Sequence, residues 1–226
     1  MIPEAVLKPE SKGFRIFLQS NFANAPGMRL RRRFSLAHEI AHTLFYELRD
    51  GSPSPVRGAP RSDRLESACH QGAGLLLVPQ GPLRRELSRM DHPIGPEGAV
   101  ELARKFDVSL VVMLRRLDQA GTFDSARNAL VLARTSERGH ATIEFAPYPP
   151  WLKVLLPNPR PGTEIEAWLR NYVGSGCNAG GYARTPLDQG FESQTALGLL
   201  RASRFDVTRS QCIFRLGIDE SSAAPA

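Results

Sequence analysis

Phe34-Ser35-Leu36-Ala37-His38-Glu39-Ile40-Ala41-His42-Thr43-Leu44-Phe45-Tyr46 contains the pattern His-Glu-x-x-His. On a helix, positions i and i+4 lie one turn apart on the same face. His38 and His42 can therefore aim two imidazoles at one point the size of a metal ion. Glu39 falls about 100° further round the helix, bordering that point without competing for it. Two histidine ligands, with a carboxylate placed to take a proton from water, are the parts of a zinc peptidase site. The plain alternative is a helix whose paired histidines serve only its surface or its core.

The flanks favour the first reading. Ser35 is a good N-cap for a helix expected to begin at Leu36. Ala37, Ile40, Ala41, Leu44 and Leu48 recur at helical spacing and are expected to face a core. Both histidines fall off that stripe. A catalytic zinc needs a third protein ligand and one open position. Phe45 and Leu48 stand where a downstream Gly and a third His would extend the motif, which excludes the metzincin pattern. The third ligand must come from elsewhere, and a carboxylate on a second helix is the natural source.

Such a helix is expected in Ser62-Asp63-Arg64-Leu65-Glu66-Ser67-Ala68-Cys69-His70-Gln71-Gly72-Ala73-Gly74-Leu75-Leu76-Leu77-Val78-Pro79. Ser62 can cap it and Pro79 can close it. Leu65, Ala68, Cys69, Ala73, Leu76 and Leu77 form its apolar face. Glu66 lies off that face. The run Asp50-Gly51-Ser52-Pro53-Ser54-Pro55 can turn the chain and return it to the first helix.

Taken together, Arg-Phe-Ser-Leu-Ala-His-Glu-Ile-Ala-His and the later Glu-x-x-Cys-x-x-x-Ala, closed by Leu-Leu-x-x-Pro, resemble the ImmA/IrrE family of metallo-endopeptidases. The resemblance covers about residues 13 to 120. It implies that Glu66 is the third zinc ligand and that the substrate is a regulatory protein, often a helix-turn-helix repressor cut at a limited site. It also implies a stress-response role. The chain departs from the family pattern at His70, where Asn or Asp is usual, and at Gly72, where an aromatic is common. The first helix usual ahead of the strand is short or missing. Glu66 and His70 are i, i+4, so His70 can either approach the metal or bond to backbone, and the second option is expected. Metal binding by His70 would fill the open position and leave a degenerate peptidase.

Composition limits the setting. The 226 residues suit one or two domains and hold no apolar run of membrane-spanning length. Met1-Ile2-Pro3-Glu4 does not begin a signal peptide. Cys69, Cys177 and Cys212 show no metal spacing and cannot all pair, so a reduced, cytoplasmic setting is expected. The net charge is +6, with Arg outnumbering Lys 25 to 4. Those charges are spread along the chain and read as a solvated surface.

In chain order, Gly13 to Gln19 alternates as a strand, a candidate edge for holding an extended peptide. Asn21 to Gly27 is a connector. Arg29 and Arg31 to Arg33 are expected to be an exposed strand end, with a binding lip beside the site as the alternative. Leu83–Met90, Glu97–Phe106 and Leu110–Gln119 are helices, the last two joined by a tight turn as in a helix-turn-helix. Leu110 to Met113 open the last helix with apolar rather than base-reading side chains, so these helices are expected to complete a core.

Gly121 marks a boundary. Ala129–Ala133, Ala141–Phe145, Leu197–Ser203 and Ser210–Leu216 read as strands, and Thr163–Val173 as a helix. Tyr148-Pro149-Pro150-Trp151 and Leu156 to Gly162 read as Pro-rich connectors. Cys177 lies in a Gly-rich loop, and 221–226 is expected to be a disordered tail.

The expected fold class is α+β. A zincin-like peptidase domain with a small sheet packed on the metal-binding helices would occupy 1–120, with 82–120 its helix-turn-helix-like part. A small α+β module of unassigned role would occupy 121–220. In the expected chemistry, His38, His42 and Glu66 hold Zn²⁺ and Glu39 is the general base. Tyr46, one turn beyond His42, is either an oxyanion donor or a packed aromatic, and packing is expected. The rival reading is a DNA-binding or protein-interaction regulator that uses 97–120, its metal structural or absent.

Overall fold

The computed structural model describes residues 5–19, 28–50, 52–56, 63–90, 93–123, 127–138, 140–147, 149–156, 160–165, 167–169, 191–195 and 197–219. Ser62, Cys177, the 21–27 connector and the 221–226 tail lie outside them. The fold is a mixed α+β arrangement of helices and small sheets. It divides into two units, Met1–Leu87 with Leu102–Arg116, and Ser88–Glu101 with Leu117–Ala226.

The first unit opens with strands β1 (Ala5–Glu10) and β2 (Gly13–Leu18), paired antiparallel from Ala5↔Leu18 to Glu10↔Gly13. Gly13 has φ +152°, open only to a residue without Cβ. The sheet packs beside α1 (Met28–Thr43), as expected of the strand at 13–19.

Helix α1 begins seven residues before Ser35, so Ser35 is not its cap and the arginine run is not a strand end. Two features extend it. Leu30, Phe34, Ala37 and Ala41 continue one inward stripe. Arg29 and Arg33, one turn apart, both bind Asp107: each pairs with its carboxylate, and Arg33 Nη1 also donates to the Asp107 carbonyl at 2.5 Å. Asp107 lies 74 positions from Arg33, beyond the reach of any local pattern.

Helix α1 ends at Thr43, whose hydroxyl donates to the Ile40 carbonyl at 2.6 Å. Leu44 and Leu48 therefore fall beyond the helix and are exposed, as are Ile40 and, on the next helix, Leu76. The helical periodicity that assigned Leu44 and Leu48 to a core does not extend past Thr43. Strands β3 (Tyr46–Arg49) and β4 (Ser52–Pro55) form a hairpin instead, with Asp50 at φ +51° in its turn. Aspartate tolerates that left-handed conformation.

Helix α2 (Asp63–Leu77) lies against α1, with Cys69, Ala73 and Gly74 buried. The contact is close: a Cβ at Gly72 would stand 3.0 Å from the Ala41 Cβ. Beyond α2, the buried Arg116 Nε donates to the Val78 carbonyl at 3.1 Å, a cation at a helix C-terminus. Helix α3 (Gln80–Leu87) begins and ends three residues before the expected Leu83–Met90, while α4 (Pro96–Lys105) and α5 (Leu110–Gln119) match the sequence expectation closely. Leu102, Ala103, Val108, Val112, Met113 and Leu114 are buried, so the helix-turn-helix-like pair contributes to a core.

The second unit is built on a five-stranded antiparallel sheet of order β6-β5-β9-β8-β7. Its strands are β5 (Asn128–Thr135), β6 (Ala141–Phe145), β7 (Phe191–Thr195), β8 (Gly198–Thr208) and β9 (Gln211–Asp219). Helix α6 (Pro150–Leu155) stands where a connector was expected. Pro150 causes no break there, because the first helical turn needs no N–H donor. Trp151, Leu152, Leu156, Ile165, Trp168 and Leu169 pack with Ala129, Val131, Ala133 and Phe214 in one core cluster. Burying each large side chain contributes about 1.5–3 kcal/mol. The indole of Trp151 donates to the Phe123 carbonyl at 3.0 Å. Of the helix expected at Thr163–Val173, Ile165 and 167–169 are helical, while Glu164 bridges to Thr142 as a strand residue.

Candidate metal centre

Three side chains from two helices converge. His38 and His42 come from α1 and Glu66 from the first turn of α2. Their ligand atoms all lie within 4.8 Å of one another. His38 Nε2 stands 3.1 Å from His42 Nε2 and 3.1 Å from Glu66 Oε2, and His42 Nε2 stands 3.5 Å from Glu66 Oε1. Four-coordinate zinc with ligand bonds of about 2.05 Å has ligand–ligand edges of about 3.3 Å. The observed separations bracket that edge, and two imidazoles with a carboxylate form a donor set that zinc accepts. The residues present therefore fit the ion.

Electrostatics agree with that fit. Burial, reinforced by repulsion from His70 and then His42, holds the His38 imidazole below its usual range despite the opposing pull of Glu66. A neutral ring keeps a lone pair for a metal. His38 Nδ1 is buried and lacks a hydrogen-bond partner among the described residues. Glu66 leaves 54% of its side chain exposed, so solvent and a substrate have access.

Glu39 is buried on the adjoining face of α1 and is not one of the three converging groups. The helix thus separates it from the ligand cluster while keeping it within the same turn. Cys69 is fully buried three residues after Glu66. Burial, then the carboxylates of Glu66 and Glu39, push its thiol up to about 11. It is not one of the three groups that converge.

His70 lies beside the cluster, outside it. Its Nδ1 donates to the Glu66 carbonyl at 2.8 Å, the backbone bond expected of it. Its ring stands 4.5 Å from that of His38, and Phe34 lies 5.7 Å from His70 and 6.4 Å from His38. This aromatic wall was not anticipated; Phe34 follows from its place one turn before His38. Tyr46 packs edge-on against Phe14 with ring centroids 5.2 Å apart, joining β3 to β2.

The residue pattern of the peptidase family described as the IrrE N-terminal-like domain matches residues 15–118. The chain is also 34% identical over 115 residues to a protein of Deinococcus deserti named radiation response metalloprotease IrrE. That match takes in 48% of this chain and 39% of the relative's length.

Proposed function

Residues 15–118 match the IrrE N-terminal-like peptidase domain, and from that match we propose that the chain is a zinc-dependent endopeptidase of zincin-like, gluzincin type. The observation that carries the proposal is the convergence of His38, His42 and Glu66 from two helices. Those three residues would hold the ion. When bound, zinc supplies Lewis-acid polarisation of water and of the scissile carbonyl. Glu39 takes the proton of the attacking water and delivers it to the leaving amine. Glu39 follows His38 directly in the chain and is buried on the adjoining face of α1.

The substrate is a protein, and we take it to be a regulatory protein such as a helix-turn-helix repressor, cut at a limited site in a cytoplasmic stress response. The support is the family resemblance and the printed name of the relative, which ties that protein to the radiation response. No helix among the described residues is long and apolar enough to cross a membrane. The rival DNA-binding reading has less support. The turn between α4 and α5 is engaged by Arg29 and Arg33, and Val112 to Leu114 are buried.

The test is zinc per purified chain, with cleavage of candidate repressors followed in parallel. About one zinc in the wild type, lost in Glu66→Ala, supports the site. Glu39→Gln is expected to keep zinc and lose cleavage. A wild-type chain that takes up no zinc when incubated with it would overturn the proposal.

A further inference from the structure

Phe34, His38 and His42 follow one another at four-residue steps along α1, and Glu66 and His70 stand the same step apart on α2. Residues four apart lie one above the other on a helix, about 6 Å along its axis. Glu66 meets His38 and His42. One turn further along the seam between the helices, His70 meets His38 and Phe34. The ligand cluster therefore continues into a cluster of rings. The His70 ring stands 4.5 Å from that of His38 and 5.7 Å from that of Phe34, and Phe34 stands 6.4 Å from His38. Their planes meet at 68°, 48° and 30° respectively, so no pair lies face to face.

This wall is open to solvent. His70 is exposed and Phe34 only half-buried, whereas Ala41, Cys69 and Ala73 at the α1–α2 contact are buried. The bond from His70 Nδ1 to the Glu66 carbonyl holds the ring in place before any ligand arrives. An extended peptide rises about 3.3 Å per residue. A substrate with its carbonyl at the ligand cluster thus brings a side chain to the rings within about two residues of that carbonyl. We infer that Phe34 and His70 form a specificity subsite, and that it takes an aromatic side chain of the protein substrate beside the bond that is cut. The inference rests on the peptidase reading. A further ring gains edge contacts with rings already set at an angle, beyond the apolar area it covers. An aliphatic side chain of equal size covers the same area without that gain.

The test uses the full-length, zinc-loaded chain and hydroxamates, whose chelating group anchors them at zinc and so fixes their register. Acetyl-Ala-X hydroxamate extends toward the amino side, and malonohydroxamoyl-X-Ala amide toward the carboxyl side. In each, X is phenylalanine or cyclohexylalanine, which match in size but not in aromaticity. Isothermal titration calorimetry at saturating zinc is expected to show the phenylalanine probe binding about fivefold tighter in one of the two directions. Phe34→Leu with His70→Asn removes that preference, each single change reduces it, and Leu75→Ala on α2 leaves it. Equal binding of the two probes in both directions, or a preference that the double variant keeps or that Leu75→Ala also abolishes, overturns the inference and leaves the metal site standing. A chain that takes up no zinc and binds no probe overturns both the inference and the peptidase reading. An aromatic preference that depends on Phe34 and His70, in a chain that cuts no phenylalanine-containing peptide, upholds the subsite and counts against the peptidase reading.

Discussion

His38 Nε2 stands 3.1 Å from Glu66 Oε2 although 28 positions separate the two residues in the chain. The donor set therefore exists only when α1 and α2 are packed together. A ligand that binds the folded chain alone stabilises it by RT ln(1 + [L]/Kd), about 2.7 kcal/mol at a hundredfold excess over Kd. Zinc is expected to raise the melting temperature of the first unit, and a chelator to return it. In Glu66→Ala the shift should shrink markedly. An undiminished shift in that variant would remove Glu66 from the ligand set.

His70 donates from Nδ1 to the Glu66 carbonyl, which ties its ring to the helix backbone and fixes its position beside His38. We expect it to position the ligands without binding metal. His70→Asn should leave the visible spectrum of the cobalt-substituted protein unchanged. Zinc affinity should weaken by about tenfold, as when the partners of ligands are removed. A clear change in the cobalt bands would instead make His70 a ligand.

The motifs and most helices were legible because their signals are local. His-Glu-x-x-His, the stop after α2, and the apolar spacing of α3 to α5 all lie within a few turns. Glu66 was legible only when the two motifs were read as a pair. The start of α1 was not, because Asp107, which supports it, lies 74 positions from Arg33 in the chain. Strands β1, β3, β4 and β7 were missed for a related reason. A short strand is defined by its partner, and the β3–β4 pairing places two prolines in a hairpin that composition reads as a loop. The prolines ahead of Trp151 misled in the opposite sense, since one of them starts α6.

Gly72 lies at the close contact between α1 and α2, the helices that carry the proposed ligands. Alanine there would gain about 1 kcal/mol of helix propensity but place its Cβ 3.0 Å from the Ala41 Cβ. The two effects nearly cancel, so Gly72→Ala should change stability by less than about 1 kcal/mol. Gly72→Leu has no such compensation and should destabilise the chain by about 2–3 kcal/mol. It should also weaken zinc binding, because α2 carries Glu66 away from the histidines as it moves. Urea melts and zinc competition on both variants check this. Normal zinc affinity in a destabilised Gly72→Leu chain would show that helix spacing and ligand geometry are not linked.

Asp107 gives a pH-dependent prediction. The hydrogen bond from the Arg29 guanidinium comes first; desolvation opposes it, and the Arg33 hydrogen bond with the charges of both arginines then holds the carboxyl below the usual carboxylate range. A carboxyl lowered on folding stabilises the chain at pH values above its unfolded pKa, about 3.9. That contribution is lost as pH falls through the lower folded value. Asp107→Asn keeps the shape and removes the charge. The wild type should therefore melt higher than Asp107→Asn at pH 6 to 7, with the gap closing as pH falls below about 4. Asn also tolerates the left-handed backbone at φ +55°, so strain should not obscure the comparison. A gap that persists unchanged at pH 2 to 3 would mean that the carboxylate's charge is not what fastens the α4–α5 turn to α1.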